Sequence, residues 1–318
     1  MKNLFSKKDP QSAQQDQQSH QKEESMLSVD DFDLVEVLAT SRNAKYVAAK
    51  PKARLQLPQL PNGLVVLRIC HKDRLLNNDR EHLREDFERV RSQAVNCACL
   101  VQLEAFFETD TKSFIVARSY DGLSLDRCLS EAPGKTIPIA EVKSIAASIC
   151  CALLHLHANG ESVYGDLGPG KVLVESGRCR SVLLRYTSRA KGVMRVMQNY
   201  DASPSSPFYV PPECLSGQDH EMTSAVDWWQ FGVLLFNMVC GRQPFVARRI
   251  QDLFKVIATC PQDEHERRLT TVLREQDAPD DVTDLIVRCL CKDPQKRITG
   301  NEVKAHRFFC GFNWVSLC

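Results

Sequence analysis

The sequence predicts an α+β fold with a small, mostly antiparallel β part at the N-terminal side and a larger, mainly helical part after it. Runs with strand-like alternation or β-branched content lie before residue 120, at 32–50, 64–70 and 100–107. Apolar runs with helical spacing dominate after residue 123. A single charged helix is expected between the strands, over residues 73–93.

The composition is that of a globular protein, with 43% hydrophobic and 25% charged residues. The 41 basic residues nearly balance the 40 acidic ones, so we expect neither nucleic-acid nor membrane-surface binding. No uninterrupted apolar run reaches the ~18 residues of a membrane span. The 14 cysteines lack metal-site spacing, and the N-terminus lacks an apolar signal segment. We therefore expect free thiols and a cytoplasmic location, with the nucleus as an additional location.

Three regions follow along the chain. Residues 1–28 are rich in Gln, Ser, Lys and Glu and predict a disordered arm. Residues 29–120 hold the predicted strands and the charged helix, and form the first lobe. Residues 121–318 form the helical lobe, after a hinge at Tyr120, Asp121 and Gly122.

The most informative stretch of the sequence is a predicted loop over residues 164–174, which reads Y-G-D-L-G-P-G-K-V-L-V. An apolar helical run leads into it, and a short run of β-type residues leads out. A protein kinase carries its catalytic loop, H-R-D-L-x-x-x-N, between elements of this kind.

Four further stretches carry a resemblance to eukaryotic protein kinases. They are Q-A-V-N-C-A-C-L-V-Q-L-E-A-F-F (93–107), F-Y-V-P-P-E (208–213), A-V-D-W-W-Q-F-G-V-L-L-F-N-M-V-C-G-R-Q-P-F (225–245) and L-I-V-R-C-L-C-K-D-P-Q-K-R-I-T (285–299). The paired tryptophans resemble those of the AGC group. Within that group the chain is most similar to the catalytic subunit of cyclic-AMP-dependent protein kinase. The resemblance covers about residues 30–317 and implies the bilobal protein-kinase fold. AGC kinases carry a C-terminal tail after this region, and by comparison with them we expect that tail to be missing after Cys318.

The scaffold residues of the family are present. The resemblance implies that Glu213 and Arg297 form a buried ion pair under the activation segment. It implies that Asp227 orients the backbone of the catalytic loop. These matches predict a folded helical lobe.

The catalytic loop departs from the family pattern. Asp166 matches the catalytic base, but Tyr164 and Gly165 replace the preceding His and Arg. Lys171 replaces the Asn that binds a second Mg²⁺, and a cation in that position repels a metal. Tyr186 falls in the position of the D-F-G Asp, and a neutral phenol is a poor Mg²⁺ ligand. We therefore expect no metal site.

The nucleotide-binding positions of the first lobe are also altered. Ala39, Ser41 and Ala44 replace the three glycines of the phosphate loop, and Tyr46 replaces its valine. Arg68 replaces the strand lysine that contacts the phosphates. Either Arg68 pairs with Glu88 of the charged helix, or both side chains face solvent.

Together these departures favour a pseudokinase that acts in signalling by binding proteins, with no cofactor. One alternative is an active serine/threonine kinase that uses ATP with atypical chemistry. Another is a module that binds a nucleotide such as ATP without Mg²⁺. The resemblance implies one candidate partner, a regulatory subunit of cyclic-AMP-dependent kinase, which docks on the helical lobe in that family.

Overall fold

The computed structural model describes residues 27–40, 44–55, 63–74, 83–159, 163–175, 181–183, 206–215 and 223–317. These residues divide into two compact units. The first contains residues up to 88 together with 103–119, and the second contains residues 89–102 and 120 onward. The predicted arm lies outside the described residues, except for Leu27 and Ser28.

The first unit is built on a five-stranded antiparallel sheet in the order β1-β2-β3-β5-β4. Burial is greatest in β3, β4 and β5, whereas β1 is exposed after Phe32, so the alternation that the sequence predicts for β1 does not correspond to a buried face. The bounds of the strands are Phe32–Thr40 (β1), Ala44–Pro51 (β2), Val65–His71 (β3), Leu103–Glu108 (β4) and Lys112–Arg118 (β5).

Aromatic side chains fill the core of this unit. The Phe107 ring stacks on Phe114 with centroids 4.6 Å apart and on Phe32 at 5.9 Å. Helix α1 (Leu83–Ala94) buries Phe87 against Phe106, with centroids 5.5 Å apart. These contacts give α1 one apolar stripe, while its other positions remain polar.

The second unit is mainly helical and carries one small antiparallel sheet, in the order β6-β7-β8. Two apolar helices, α3 and α4, form the centre of its core. The bounds of its strands are Gly122–Ser124 (β6), Val172–Glu175 (β7) and Ser181–Leu183 (β8). The bounds of its helices are Leu125–Glu131 (α2), Ile139–Ala158 (α3), Ala225–Cys240 (α4), Ile250–Thr259 (α5), Gln262–Glu275 (α6), Asp280–Cys289 (α7) and Gly300–Lys304 (α8). The predicted α+β class is confirmed.

Helix α3 is the one described segment long and apolar enough to cross a membrane by length and composition. It has 20 residues and a mean hydropathy of 1.6, and 56% of the apolar window is buried inside the protein. The sequence analysis predicted an apolar helical run here but no apolar run of membrane-spanning length, because Glu141 and Lys143 interrupt the apolar residues. A mostly buried core helix passes the same test, so this finding is weak evidence of a membrane span.

Residues 89–102 belong to the second unit, whereas the sequence analysis placed them in the first lobe. Two hydrogen bonds link this segment to other parts of the second unit. The His155 Nε2 of α3 lies 2.8 Å from the carbonyl oxygen of Gln93, and the Cys99 thiol donates to the carbonyl of Leu317. The change of unit between Ser119 and Tyr120 lies at the predicted hinge.

Candidate active site

The loop after α3 is held in place by one buried carboxylate. The Tyr164 and Gly165 amides donate to the two oxygens of Asp227, at 2.8 and 2.6 Å. Asp227 lies in the first turn of α4 and is fully buried. Such charge-assisted bonds to backbone amides are stronger than neutral ones, so they fix the path of the loop. This arrangement matches the orienting role that the family resemblance implies for Asp227.

Two residues that the sequence analysis did not single out complete this network. Gln230, one helical turn after Asp227, accepts from the Leu167 amide at 3.0 Å and donates to the Gly165 carbonyl at 3.2 Å. The His157 Nε2 lies 2.8 Å from Asp227 Oδ2. The spacing of Asp227 and Gln230 could have indicated a shared helix face, because residues three apart are neighbours.

Gly165 takes a backbone conformation that favours glycine. Its φ is 72°, in the left-handed region that an L side chain rarely adopts. The residue therefore lets the chain turn directly after the two amides that donate to Asp227, before Asp166. The family's Arg is replaced at the one position of this loop where the backbone favours glycine.

Asp166, the predicted catalytic base, and Lys171, the predicted replacement of a metal ligand, are in direct contact. The Lys171 ammonium donates to Oδ2 of Asp166. Lys171 lies in the 3₁₀ turn Pro169–Lys171, which ends the loop just before β7. The Asp166 side chain is 45% exposed and the Lys171 side chain 19% exposed, so the pair lies at the protein surface with its cation shielded.

Glu213 and Arg297 are also brought together. The two terminal nitrogens of Arg297 donate to the two carboxylate oxygens of Glu213, at 2.7 and 2.9 Å. Arg297 donates further to the carbonyl oxygens of Ala225 and Cys291 and lies 5.1 Å from the centroid of the Trp229 ring. A buried charge must be paired in this way or it is strongly destabilising.

The altered nucleotide positions lie on three neighbouring strands. Ala39 of β1 is opposite Tyr46 of β2, which in turn is opposite Arg68 of β3. Ala44, at the start of β2, is buried. Because backbone register sets these neighbours, β1, β2 and β3 place three of the predicted positions side by side.

Arg68 and Glu88 lie in different environments. Arg68 is half-buried, and Glu88 is exposed on α1. Among the residues that the structure describes, no ion pair joins these two side chains. Ser41, Tyr186 and most of the predicted activation segment lie outside the described residues.

Comparison with known proteins identifies relatives over most of the chain. The family model described as "Protein kinase domain" matches residues 59–309. Human protein kinase C eta type is 28% identical over 298 residues, which are 92% of this chain and 40% of that protein. The serine/threonine-protein kinase YPK1 of Saccharomyces cerevisiae is 27% identical over 298 residues, with the same coverage of both chains. The chain thus spans about two fifths of the length of these curated relatives.

A solved structure has a similar fold. A crystal structure of Rad53 residues 1–466 in complex with AMP-PNP matches with a TM-score of 0.69 and 18% identity, covering 92% of this chain and 69% of that one. The likeness confirms the predicted kinase fold, with an antiparallel sheet in one lobe and helices in the other. Since the family model spans most of the sequence, the chain belongs to the protein kinase domain family, with homologues in the AGC group.

Proposed function

We propose that this protein-kinase domain is catalytically inactive and acts in signalling by binding other proteins. The observation that carries the proposal is the contact between the Lys171 ammonium and the Asp166 carboxylate. In an active kinase the matching carboxylate accepts the proton of the substrate hydroxyl. The Asn that matches Lys171 helps to hold a metal there. Here the two side chains neutralise each other.

The chemistry of the pair opposes Mg²⁺ at this position. Mg²⁺ requires oxygen ligands in near-octahedral geometry, and an ammonium offers none. A cation in a site also inverts the local electrostatics, because it repels a second cation. Phosphoryl transfer depends mostly on positioning and charge neutralisation, so the loss of metal ligands removes the main source of rate acceleration.

An active serine/threonine kinase is the second candidate, and the relatives favour it. Each curated relative reported above is named a kinase. Asp166 is retained, and its side chain is 45% exposed on a loop whose backbone is fixed by Asp227. In that case Lys171 would take over part of the role of a metal by contacting phosphate, and ATP would be the phosphoryl donor.

A thermal-shift titration with ATP, with and without Mg²⁺, separates the candidates. A ligand that binds only the folded state raises Tm by mass action. We expect no Mg²⁺-dependent rise for the wild type and no transfer of phosphate to serine/threonine peptides. A rise without metal would favour the nucleotide-binding alternative instead. A Mg²⁺-dependent rise, with transfer that is lost in Asp166→Asn, would overturn the proposal.

Two variants test the observation itself. Lys171→Asn restores the family residue and releases the Asp166 carboxylate, so we expect a larger Mg²⁺-dependent rise in Tm than in the wild type. Lys135→Asn is the matched control, because Lys135 ends a second 3₁₀ turn of the same sequence, Pro-Gly-Lys, and is exposed. Equal behaviour of the two variants would count against a role for the Lys171–Asp166 contact.

The proposed partners are proteins, and a regulatory subunit of cyclic-AMP-dependent kinase is the specific candidate. The folded helical unit, with its buried Glu213–Arg297 pair, supports a stable docking surface. The acids that would hold a basic inhibitor segment are replaced by Ser124, Gly170 and Asn237. We therefore expect binding without use of that segment. Failure of the two proteins to co-purify would remove this candidate.

A further inference from the structure

A cavity of about 690 Å³ lies in the second unit, between the residues that follow α4 and the helices α5 and α6. We call it the α5–α6 cavity, and its apolar lining includes Phe236, Phe245, Val256, Leu269 and Val272. None of its lining residues belongs to the candidate active site. Pockets for small ligands have volumes of about 300–1,000 Å³ and combine an apolar lining with a few polar groups, so this cavity is a candidate ligand site.

Stacked aromatic rings form one wall of the cavity. The Phe245 ring is nearly parallel to the rings of Trp229 and His265, with centroids 5.6 and 5.2 Å away. All three side chains are buried, so the core holds this wall in place. Leu269 and Val272 extend the apolar lining along α6, because residues three and four apart share a helix face with His265. A flat aromatic ring suits such a wall, since aromatic pairs favour stacked or edge-on packing.

The cavity also offers hydrogen-bond acceptors that lack a partner among the described residues. The Oε1 atom of Gln243 is buried and makes no hydrogen bond. The Nε2 atom of His265 lies 3.0 Å from the Leu290 carbonyl oxygen, so Nε2 carries the ring proton. Burial lowers the pKa of His265 to about 4, which leaves the ring neutral at pH 7 and makes its Nδ1 an acceptor. Buried polar atoms are rarely left without a partner, so a hydrogen-bond donor on a ligand is expected here.

Arginine side chains give the cavity a positive lining. Arg242, Arg267 and Arg268 outnumber the one lining acid, Glu264. Each of these arginines lies 3.4–3.8 Å from its nearest carboxylate, whereas strong charge-assisted hydrogen bonds measure about 2.7–2.9 Å. Among the described residues, Arg242 contacts only Glu275, at 3.4 Å, and both side chains are exposed. Its remaining donors can therefore meet a ligand carboxylate in the two-pronged geometry that arginine favours.

We propose that the α5–α6 cavity binds a small aryl carboxylic acid that carries a hydroxyl group on its ring. The ring packs on the wall formed by Phe245 and His265, and the hydroxyl group donates to Gln243 Oε1. The carboxylate contacts the guanidinium of Arg242. Binding at this site needs neither ATP nor Mg²⁺, so it goes beyond the proposed function and does not depend on it.

The first test is a ligand-observed NMR titration of the whole chain with 3-(4-hydroxyphenyl)propanoic acid. Two analogues each remove one contact, because 3-phenylpropanoic acid lacks the hydroxyl group and 3-(4-hydroxyphenyl)propanamide lacks the charge. We expect saturable binding of the hydroxy acid and roughly tenfold weaker binding of each analogue. Equal affinities for the three compounds, or no saturable binding of the hydroxy acid at millimolar concentrations, would overturn the proposal.

Single variants assign the two polar contacts. Arg242→Gln should weaken binding of the hydroxy acid about tenfold and leave binding of the amide unchanged. Gln243→Leu should weaken binding of the hydroxy acid and leave binding of 3-phenylpropanoic acid unchanged. Arg248→Gln is the matched control, because Arg248 is a nearby exposed arginine that does not line the cavity. Equal effects of Arg242→Gln and Arg248→Gln would refute the carboxylate contact, and equal effects of Gln243→Leu on both acids would refute the hydroxyl contact.

A second measurement locates the ligand in the wild type. Cys260 lines the cavity and is partly exposed, whereas Cys310 is exposed and does not line it. We expect saturating 3-(4-hydroxyphenyl)propanoic acid to slow the alkylation of Cys260 by N-ethylmaleimide and to leave that of Cys310 unchanged, as measured by peptide mapping. Equal alkylation rates of Cys260 with and without the ligand would place the binding site elsewhere and overturn the proposal.

Discussion

Arg297 and Glu213 form a two-pronged ion pair in the second unit, with nitrogen–oxygen distances of 2.7 and 2.9 Å. Arg297 is only 3% exposed, and its remaining donors go to backbone carbonyl oxygens. The pair joins a short turn, Pro212–Leu215, to the segment that follows α7. It therefore connects parts of the chain that lie far apart in sequence.

Removing one charge of this pair should destabilise the protein strongly. Glu213→Gln keeps the side-chain volume but leaves the Arg297 guanidinium buried without a counter-charge, so we expect a loss of about 3–5 kcal/mol in the free energy of unfolding. Urea denaturation followed by fluorescence measures it. The control is Glu275→Gln, which breaks an exposed pair with Arg242 and should cost under about 1 kcal/mol. Similar losses in both variants would contradict the argument.

Asp227→Asn should loosen the loop that carries Asp166. The carboxylate accepts from two backbone amides and contacts the His157 ring, whereas one amide end of Asn cannot accept a hydrogen bond. We expect a loss of about 2–4 kcal/mol and faster hydrogen exchange at the Tyr164 and Gly165 amides. Asp252→Asn, in an exposed pair with Arg249, is the control and should leave exchange there unchanged.

Gly232→Ala should destabilise the protein, although alanine favours helices. A Cβ at this position of α4 would lie 2.6 Å from the Cys289 Cβ and 3.1 Å from the Leu290 side chain. The overpacking is expected to cost roughly 1–3 kcal/mol, more than the ~1 kcal/mol gained in helix propensity. Gly168→Ala is the comparison, because a Cβ there meets no atom within 4 Å. A stabilised Gly232→Ala variant would mean that α4 and α7 can move apart.

His265 should make the protein less stable in mild acid. Burial lowers the pKa of this histidine from its ordinary 6.5 to about 4, and its ring stacks on Phe245. Between these values the unfolded chain binds a proton that the folded protein does not, so stability falls as pH decreases from 6.5 towards 4. At pH 5, His265 therefore lowers the free energy of unfolding by about 2 kcal/mol.

The measurement for this prediction is the free energy of unfolding at pH 7 and pH 5. We expect His265→Gln to reduce the difference between the two pH values, whatever its effect on absolute stability. His71→Gln, a partly exposed histidine in the first unit, controls for the loss of one titratable group. An unchanged pH dependence in His265→Gln would show that another group is responsible.

Periodicity and motif spacing were sufficient for several features. Alternation predicted the first strand and β-type runs the other strands of the first unit, an apolar helical run predicted α3, and the family resemblance predicted α4. The motif matches identified Glu213, Arg297 and Asp227 as scaffold residues from the sequence alone. The predicted α+β class is confirmed, because secondary structure follows local residue patterns, whereas the roles of these three residues stay predictions.

Other features depend on contacts between residues distant in sequence. The assignment of residues 89–102 to the second unit follows from hydrogen bonds to α3 and to Leu317, which periodicity does not reveal. His157 and Gln230 belong to the Asp227 network only because α3, α4 and the loop pack together.

The sequence by itself determined the α+β class, with strands before residue 120 and mainly helices after residue 123. Only the tertiary structure decided that the Lys171 ammonium meets the Asp166 carboxylate, and that His157 and Gln230 join the Asp227 network. The physical reason is the distance over which each effect acts. Backbone propensity acts over a few residues, whereas charge neutralisation and hydrogen bonding depend on the side chains that packing brings within a few ångströms.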